Sequence, residues 1–352
     1  MLVASPHAHD RSSIERTMYL VCMALIPATL FGFYLFGWPA INLWFLCVTT
    51  AILSEMFCLF LAGKALKRSL DGSAILTGWL IAMTLPPWAP WWIAVVGTSF
   101  AIMLGKQLYG GLGQNLFNPA MLTRVALLIS FPVEMTTWAN VNPITSVTAP
   151  DFFESLAITF SATPLPDAVT GATPLGYVKT ALTTNVPVTV SVAEVFAVKD
   201  AFMGFTRGSM GETSAFLLLL GGIYLLWKRV ISWHIPLSIL VSILVVAYLF
   251  NVIDPERYEP PLMHILSGGM ILGAFFIATD PVTSPNDPKG QILFGIGIGL
   301  VAYIIRTWGT FPEAVGFAVL FMNALTPIID RYMRPRIYGY NLQGQPLKAG
   351  EE

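Results

Sequence analysis

The sequence predicts an all-α polytopic membrane protein. Only 11% of its 352 residues are charged, against roughly 25% in a typical soluble domain. Hydrophobic residues make up 55% of the chain, and the mean hydropathy is +0.68. Apolar runs of about 20 residues recur along the chain, and this is the length that an α-helix needs to cross a hydrocarbon core. The net charge of −1 and the lack of a basic patch do not indicate nucleic-acid binding.

Ten stretches are predicted as transmembrane helices. They cover residues 18–37, 41–63, 72–86, 91–108, 118–133, 213–228, 234–252, 262–279, 290–306 and 313–330. The third and the eighth are short and end in the proline-containing segments TLPPWAP and ATDPVTSP. Because proline removes a backbone donor and clashes with the preceding turn, we expect these helices to end there. The charged stretch HDRSSIER precedes the first span without a closely following cleavage site, so we expect an uncleaved anchor.

The distribution of lysine and arginine predicts the orientation of the helices. With the N-terminus inside, thirteen basic residues fall in inner segments, and three of the five outer ones lie in one long loop, which the positive-inside rule discounts. We therefore expect both termini in the cytoplasm and the segment 134–212 outside. The inner residues are Arg11, Arg16, Lys64, Lys67, Arg68, Lys106, Lys228, Arg229, Lys289, Arg331, Arg334, Arg336 and Lys348; the outer ones are Lys179, Lys199, Arg207, Arg257 and Arg306.

The two halves of the chain resemble each other after a shift of 195 residues. The shift aligns GWLIAMTLPPWAP, residues 78–90, with GAFFIATDPVTSP, residues 273–285, and matches a glycine, a threonine and two prolines. Since each half has an odd number of spans, the second half enters the membrane from the opposite face. We therefore expect two inverted five-helix repeats. Broken helices at corresponding positions of such repeats indicate the functional site. Chance similarity of glycine- and proline-rich helix ends is the alternative. The sequence thus predicts four regions. They are the cytoplasmic N-terminal tail with the first repeat (1–133), the extracytoplasmic loop (134–212), the second repeat (213–330) and the cytoplasmic C-terminal tail (331–352).

The stretch DAVTGATPLG, residues 167–176, is a polar turn in the long outer loop. Its tetrad TGAT, residues 170–173, consists of small residues and ends in a hydroxyl. Pro174 disfavours the helical conformation for Thr173 and predicts an extended one, while Gly171 allows close approach of a bulky partner. We expect an exposed hydroxyl that no neighbouring histidine turns into a hydrolytic nucleophile. An ordinary surface turn is the alternative.

Two carboxylates at membrane depth are the candidates for an ion pathway. Glu55 lies about 14 residues into the second predicted span, roughly 20 Å along the helix axis, and Asp280 ends the eighth span. An ionisable group at such depth is expensive, so each is a functional hypothesis. As alternatives, Glu55 pairs with Arg124 or Lys106, and Asp280 caps its helix or binds the loop that follows.

Four stretches together resemble one protein family. DAVTGATPLG is similar to the flavin-transfer motif Asp-x-x-(Ser/Thr)-Gly-Ala-Thr. KQLYGGLGQNLFNPAM, SGGMILGAFFIATDPVTSP and RPRIYG also resemble the D subunit of the Rnf electron transport complex. That family is related to the B subunit of the sodium-translocating NADH:quinone oxidoreductase, whose longer N-terminal extension this sequence lacks. The resemblance runs from about residue 15 to 340, and it implies a ten-helix inverted repeat.

The resemblance also implies a site, cofactors and partners. Thr173 would carry FMN through a phosphoester, with Asp167, Thr170, Gly171 and Ala172 completing the motif. A second flavin, for which riboflavin is the candidate, would be bound noncovalently. The chain would lie in the bacterial cytoplasmic (inner) membrane with the A, B, C, E and G subunits of an ion-translocating ferredoxin:NAD oxidoreductase, the Rnf complex. It would supply one electron relay rather than a complete active site.

Two other functions agree with the residues alone. A secondary transporter or channel would also contain inverted repeats and broken helices, and a scaffold for partner proteins would also be poor in charge. Neither function requires a flavin-attachment motif, so we favour the redox protein. The scattered histidines and the three cysteines form no pattern typical of a metal site or a catalytic centre.

Overall fold

The structure is a computed structural model that describes residues 13–161 and 170–333, and it is mostly helical. The α-helices of these residues are α1 (Ile14–Phe36), α2 (Trp38–Leu61), α3 (Ser73–Thr84), α4 (Trp91–Ile102), α5 (Pro119–Ser130), α6 (Pro132–Thr136), α7 (Phe152–Phe160), α8 (Pro174–Thr183), α9 (Val188–Val195), α10 (Val198–Met203), α11 (Ala215–Trp227), α12 (His234–Ile253), α13 (Pro261–Leu266), α14 (Met270–Leu272), α15 (Pro288–Trp308) and α16 (Val315–Tyr332).

Four of these helices, α1, α2, α12 and α15, are long and apolar enough to cross a membrane. The helices α3, α5 and α11 are apolar but shorter. The chain is therefore an all-α membrane protein, as the composition predicted. Each of the ten predicted ranges contains helical residues, while the number of membrane crossings stays a prediction.

Two of the predicted spans are irregular helices. Helix α4 continues into a π-helix at Met103–Gln107, and α14 continues into another at Gly273–Ile277. The eighth predicted span is broken between α13 and α14, where Gly268 and Gly269 have φ angles of +66° and +64°. Glycine adopts this left-handed conformation more readily than residues that carry a Cβ atom. This break lies within the span, upstream of the prolines at which the sequence predicted an end.

Side-chain caps and prolines fix where several helices begin. The Asn118 side chain accepts hydrogen bonds from the backbone N–H groups of Ala120 and Met121 at the start of α5. Ser214 and Asp287 cap α11 and α15 in the same way. These short polar side chains satisfy first-turn donors that have no partner within the helix. The residues that directly precede an apolar run thus determine where its helix begins.

Equivalent helices of the two halves make equivalent contacts. Helices α2, α4 and α5 begin at residues 38, 91 and 119, and α12, α15 and α16 begin at residues 234, 288 and 315. Helix α2 packs on α4 and α4 on α5, just as α12 packs on α15 and α15 on α16. Across the halves, α1 contacts α11 and α5 contacts α16. The inverted repeat itself stays a prediction.

Glycines allow neighbouring helices to approach closely. A Cβ atom added at Gly78 in α3 would lie 2.7 Å from the Cys47 carbonyl oxygen and 2.9 Å from the Ala51 Cβ atom, both in α2. These distances are shorter than van der Waals contact, and one of the two atoms belongs to the backbone. Packing between α2 and α3 therefore requires glycine at this position.

We expect Gly78→Ala to lower the stability of the protein by about 1–3 kcal/mol, because overpacking a close helix contact shifts the backbone. Gly316→Ala is the matched control, since its added Cβ atom would meet a Val125 side-chain methyl at 3.2 Å, which can move more easily than a backbone atom. Thermal unfolding in detergent should show a lower Tm for the Gly78 variant alone. Equal Tm values for the two variants would contradict this packing argument.

The segment between α5 and α11 folds onto the helices. It contains α6 to α10 and a two-stranded antiparallel ladder of β1 (Trp138–Ala139) and β2 (Thr170–Gly171). In this ladder Trp138 lies opposite Gly171, and Ala139 lies opposite Thr170. The sequence predicted only a long loop here, because short helices and two-residue strands leave no periodic apolar pattern.

Candidate functional site

The threonine turn follows β2 and starts a helix. Thr173 has φ −65° and ψ 158°, the extended conformation that Pro174 predicted, and it is the N-cap of α8. Its Oγ1 atom accepts a hydrogen bond from the Gly176 N–H at 3.2 Å. Thr173 is only 4% exposed, so the prediction of an exposed hydroxyl is wrong. The cap and the packing around it bury the side chain, but Oγ1 stays at a helix N-terminus.

The backbone of the turn lies close to an arginine. A Cβ atom added at Gly171 would lie 2.6 Å from Arg207 Nη1 and 3.0 Å from Asn140 Oδ1. A larger residue at this position would have to displace the ends of these two side chains, so Gly171 lets the turn lie directly against them. Asp167, the remaining residue of the motif, lies outside the described residues.

Thr173 lies on the wall of a cavity of about 530 Å³. This volume is within the range of about 300–1,000 Å³ typical of cofactor sites. The wall combines aromatic, hydroxyl and charged side chains from four parts of the chain: Leu128, Thr136, Trp138, Ala172, Thr173, Gly176, Lys179, Thr180, Thr183, Gly309, Thr310, Phe311, Pro312 and Glu313. We call this space the threonine cavity. Trp138 and Phe311 provide it with aromatic rings, and Lys179 and Glu313 provide it with charges.

The carboxylate of the threonine cavity is paired. Glu313 forms a salt bridge with Arg124, and both side chains are largely buried. The Arg124 guanidinium carbon also lies 5.6 Å from the centre of the Trp138 ring, within the range of a cation–π interaction. Arg124 therefore pairs with Glu313 and not with Glu55. Glu313 is not among the residues predicted from the sequence, although a carboxylate directly after Phe311-Pro312 at the start of a predicted span was a signal.

A second cavity of about 520 Å³ adjoins the first, and Lys179 lines both. The Lys179 ammonium donates a hydrogen bond to the Arg306 carbonyl oxygen at 2.9 Å. Burial lowers the pKa of Lys179, and the negative charge of Glu259 opposes this shift. Burial also raises the pKa of Glu259 to about 7, against the influence of Arg306 and Lys179. The carboxylate of Glu259 lies 3.6 Å from His264 Nε2.

Glu55 is buried and paired with Lys106. Both Glu55 carboxylate oxygens accept hydrogen bonds from the Lys106 ammonium at 2.7 Å. Lys106 also donates to Ser73 Oγ at 2.6 Å, and Gln107 donates to Glu55 at 2.8 Å. Both charged side chains are less than 5% exposed. Of the two pairs that the sequence left open, the structure selects Lys106.

Asp280 binds the turn that follows it. One of its oxygens accepts from the Val282 N–H at 3.1 Å, and the other accepts from the Thr283 hydroxyl at 3.4 Å. The Asn118 side chain, which caps α5, lies 3.5 Å from the same second oxygen. These contacts agree with the loop-binding alternative, and they also connect the two halves of the chain. Lys106, the partner of Glu55, lines a small cavity together with Asp280, whereas Thr173 lines a different cavity.

Comparison with known proteins identifies the family. A model of the NQR2, RnfD, RnfE family matches residues 1–339. The chain belongs to this family. It is 55% identical over 341 residues to the D subunit of the ion-translocating oxidoreductase complex of Stutzerimonas stutzeri, covering 97% of this chain and 96% of the relative.

Two further relatives with the same name extend over most of the chain. The protein of Halorhodospira halophila (strain DSM 244 / SL1) is 49% identical over 352 residues, which is 100% of this chain and 99% of the relative. The protein of Rhodobacter capsulatus is 45% identical over 306 residues, or 87% of this chain and 85% of the relative. The chain is therefore a membrane component of an Rnf-type ion-translocating electron transport complex and acts together with other proteins of that complex.

Proposed function

We propose that this protein relays electrons through an FMN that is joined to Thr173 by a phosphoester, and that this relay is coupled to ion transport. Bound FMN supplies transfer of one or two electrons. The observation that carries the proposal is the position of Thr173, the last threonine of the TGAT motif, at the wall of a cavity with the size and side chains suited to a flavin.

The local backbone suits a phosphoester. Thr173 is the N-cap of the ten-residue helix α8, and helix N-termini favour phosphate because their N–H groups and dipole attract negative charge. The Gly176 N–H already points at Thr173 Oγ1. The Arg207 guanidinium, close to Gly171, adds a positive charge beside the turn. The chain thus offers an anion-stabilising environment at the atom that the motif assigns to the linkage.

The threonine cavity suits an isoalloxazine ring. Trp138 and Phe311 offer aromatic surfaces for ring packing, and Lys179 offers a hydrogen-bond donor with positive charge. A phosphoester attaches FMN through its phosphate and leaves the isoalloxazine ring unmodified. The covalent link also keeps the ring within a limited distance of Thr173. On the outer face of a membrane the link would also prevent loss of the cofactor.

The wider arrangement follows the family resemblance. We infer ten spans in two inverted repeats, with both termini in the cytoplasm and the segment 134–212 outside the bacterial inner membrane. Partners would be the A, B, C, E and G subunits of a ferredoxin:NAD oxidoreductase, with riboflavin as a second, noncovalent flavin. Lys106 and Arg306 are buried and so do not count as loop charges. Removing them leaves twelve inner residues against one in the short outer segments, so the direction of the positive-inside bias stays the same.

We expect a cysteine at position 147 to react with a membrane-impermeant maleimide in intact cells, because Val147 is fully exposed in the segment 134–212. Cys22 and Cys47 are buried, so replacing Cys58 by serine gives a suitable background. Lys67→Cys, on an exposed inner segment, should react only in inverted vesicles. The reverse labelling pattern would contradict the orientation.

The experiment that tests the proposed function is reduction of the purified, denatured chain. A covalently attached flavin should remain with the polypeptide as a yellow chromophore in denaturant and should bleach when dithionite is added. A transporter or channel without a redox role is the alternative that the broken helices also suit. It would yield a colourless chain under the same conditions.

A further inference from the structure

We propose that Lys179 supplies the positive charge that sets the reduction potential of the flavin in the threonine cavity. This inference rests on the proposed attachment of FMN to Thr173. It assigns a role to a residue outside the attachment motif, on the helix that Thr173 begins.

The position of Lys179 is fixed by the fold. Lys179 lies six residues after Thr173, within α8, and lines the same cavity of about 530 Å³. Its ammonium is held by the Arg306 carbonyl oxygen of α15 at 2.9 Å. A half-buried cation that is tied to a backbone carbonyl has little freedom to turn into solvent. The charge therefore stays beside the cavity that Lys179 lines.

The charge of Lys179 is not cancelled inside the threonine cavity. Among the described residues, Lys179 and Glu313 are the charged side chains of the wall, and Glu313 is paired with Arg124. Lys179 has no carboxylate within ion-pair distance in the described part of the chain. The net field that these side chains exert on a ring in the cavity is therefore positive.

A positive charge close to a flavin favours its reduced form, which carries more negative charge, because the interaction is weakly screened in a site away from bulk water. Glu259 helps to keep Lys179 protonated, since its negative charge raises the pKa of Lys179 against the effect of burial. The second cavity thus sustains the charge that Lys179 presents to the first.

The test is a redox titration of the flavin on the full-length chain, purified in detergent at one pH. Lys179→Met should shift the one-electron reduction equilibrium at least tenfold toward the oxidised form. A tenfold shift lowers the reduction potential of the flavin by about 59 mV. Lys179→Gln should give a similar shift while keeping a donor for the Arg306 carbonyl, and it serves if the methionine variant folds poorly. Lys179→Arg should stay close to wild type.

Lys199→Met is the matched control, because Lys199 is an exposed lysine of the same outer segment and should leave the potential unchanged. A potential that does not move in Lys179→Gln or Lys179→Met, with flavin still attached to Thr173, would overturn the role of Lys179 and leave the proposed function intact. Lack of flavin on Thr173 in the wild-type chain would overturn both proposals.

Discussion

Thr173→Val should remove all flavin fluorescence from the denatured chain, because it removes the oxygen that the phosphoester needs. Valine keeps the shape of threonine, so the cavity wall remains filled. The variant also loses the N-cap of α8, which costs about 1 kcal/mol of stability. This small cost should leave the amount of protein in the membrane nearly unchanged. In-gel fluorescence measures the flavin attached to the chain, and an immunoblot of the same samples measures the amount of protein.

Two control variants separate attachment from capping. Thr173→Ser keeps a hydroxyl that caps the helix and accepts the linkage, so some fluorescence should remain. Thr170→Ala removes the other hydroxyl of the tetrad. It should reduce fluorescence less than Thr173→Val, because the flavin is not linked to that hydroxyl. Undiminished fluorescence in Thr173→Val would rule out this assignment.

Glu55→Gln should abolish ion uptake into vesicles that contain the assembled complex, while flavin attachment and electron transfer remain. Glu55 and Lys106 form a buried pair, and a cation that approaches the Glu55 carboxylate would compete with the Lys106 ammonium for the same oxygens. Glutamine keeps the shape but removes the charge that attracts the cation. Ion uptake and electron transfer are measured in the same vesicle preparation.

The same substitution should also destabilise the protein, since removing one member of a buried pair leaves an uncompensated charge and costs about 3–5 kcal/mol. The double variant Glu55→Gln/Lys106→Met removes both charges and should recover most of the lost stability without recovering ion uptake. This double-mutant comparison separates folding from transport. Normal uptake at normal turnover in Glu55→Gln would reduce Glu55 to a structural residue.

The helices were predictable from the sequence because their cause is local. Apolar runs of sufficient length and polar caps such as Asn118 and Asp287 determine where α5 and α15 begin. The extended conformation of Thr173 was predictable for the same reason, because Pro174 directly restricts its neighbour. The break at Gly268 and Gly269 was not located, since glycine in an apolar run is also common in unbroken membrane helices.

The walls of the threonine cavity were not predictable, because they come from distant parts of the chain. Trp138, Lys179 and Phe311 meet only through the packing of the outer segment on the helices. Sequence separation hides such contacts, and a short helix such as α8 has no strong periodic pattern. The pairing of Glu55 with Lys106 rather than Arg124 was equally dependent on how α2 and α4 pack.

The central claim is the covalent FMN on Thr173, and mass spectrometry of the purified chain tests it most directly. The intact wild-type chain should exceed its sequence mass by one FMN less one water, and Thr173→Val should have the mass of its sequence alone. Fragmentation of the tryptic peptide from Val125 to Lys179 should place the added mass on Thr173. An unmodified wild-type chain from cells that make the whole complex, or an added mass on another residue, would contradict the claim.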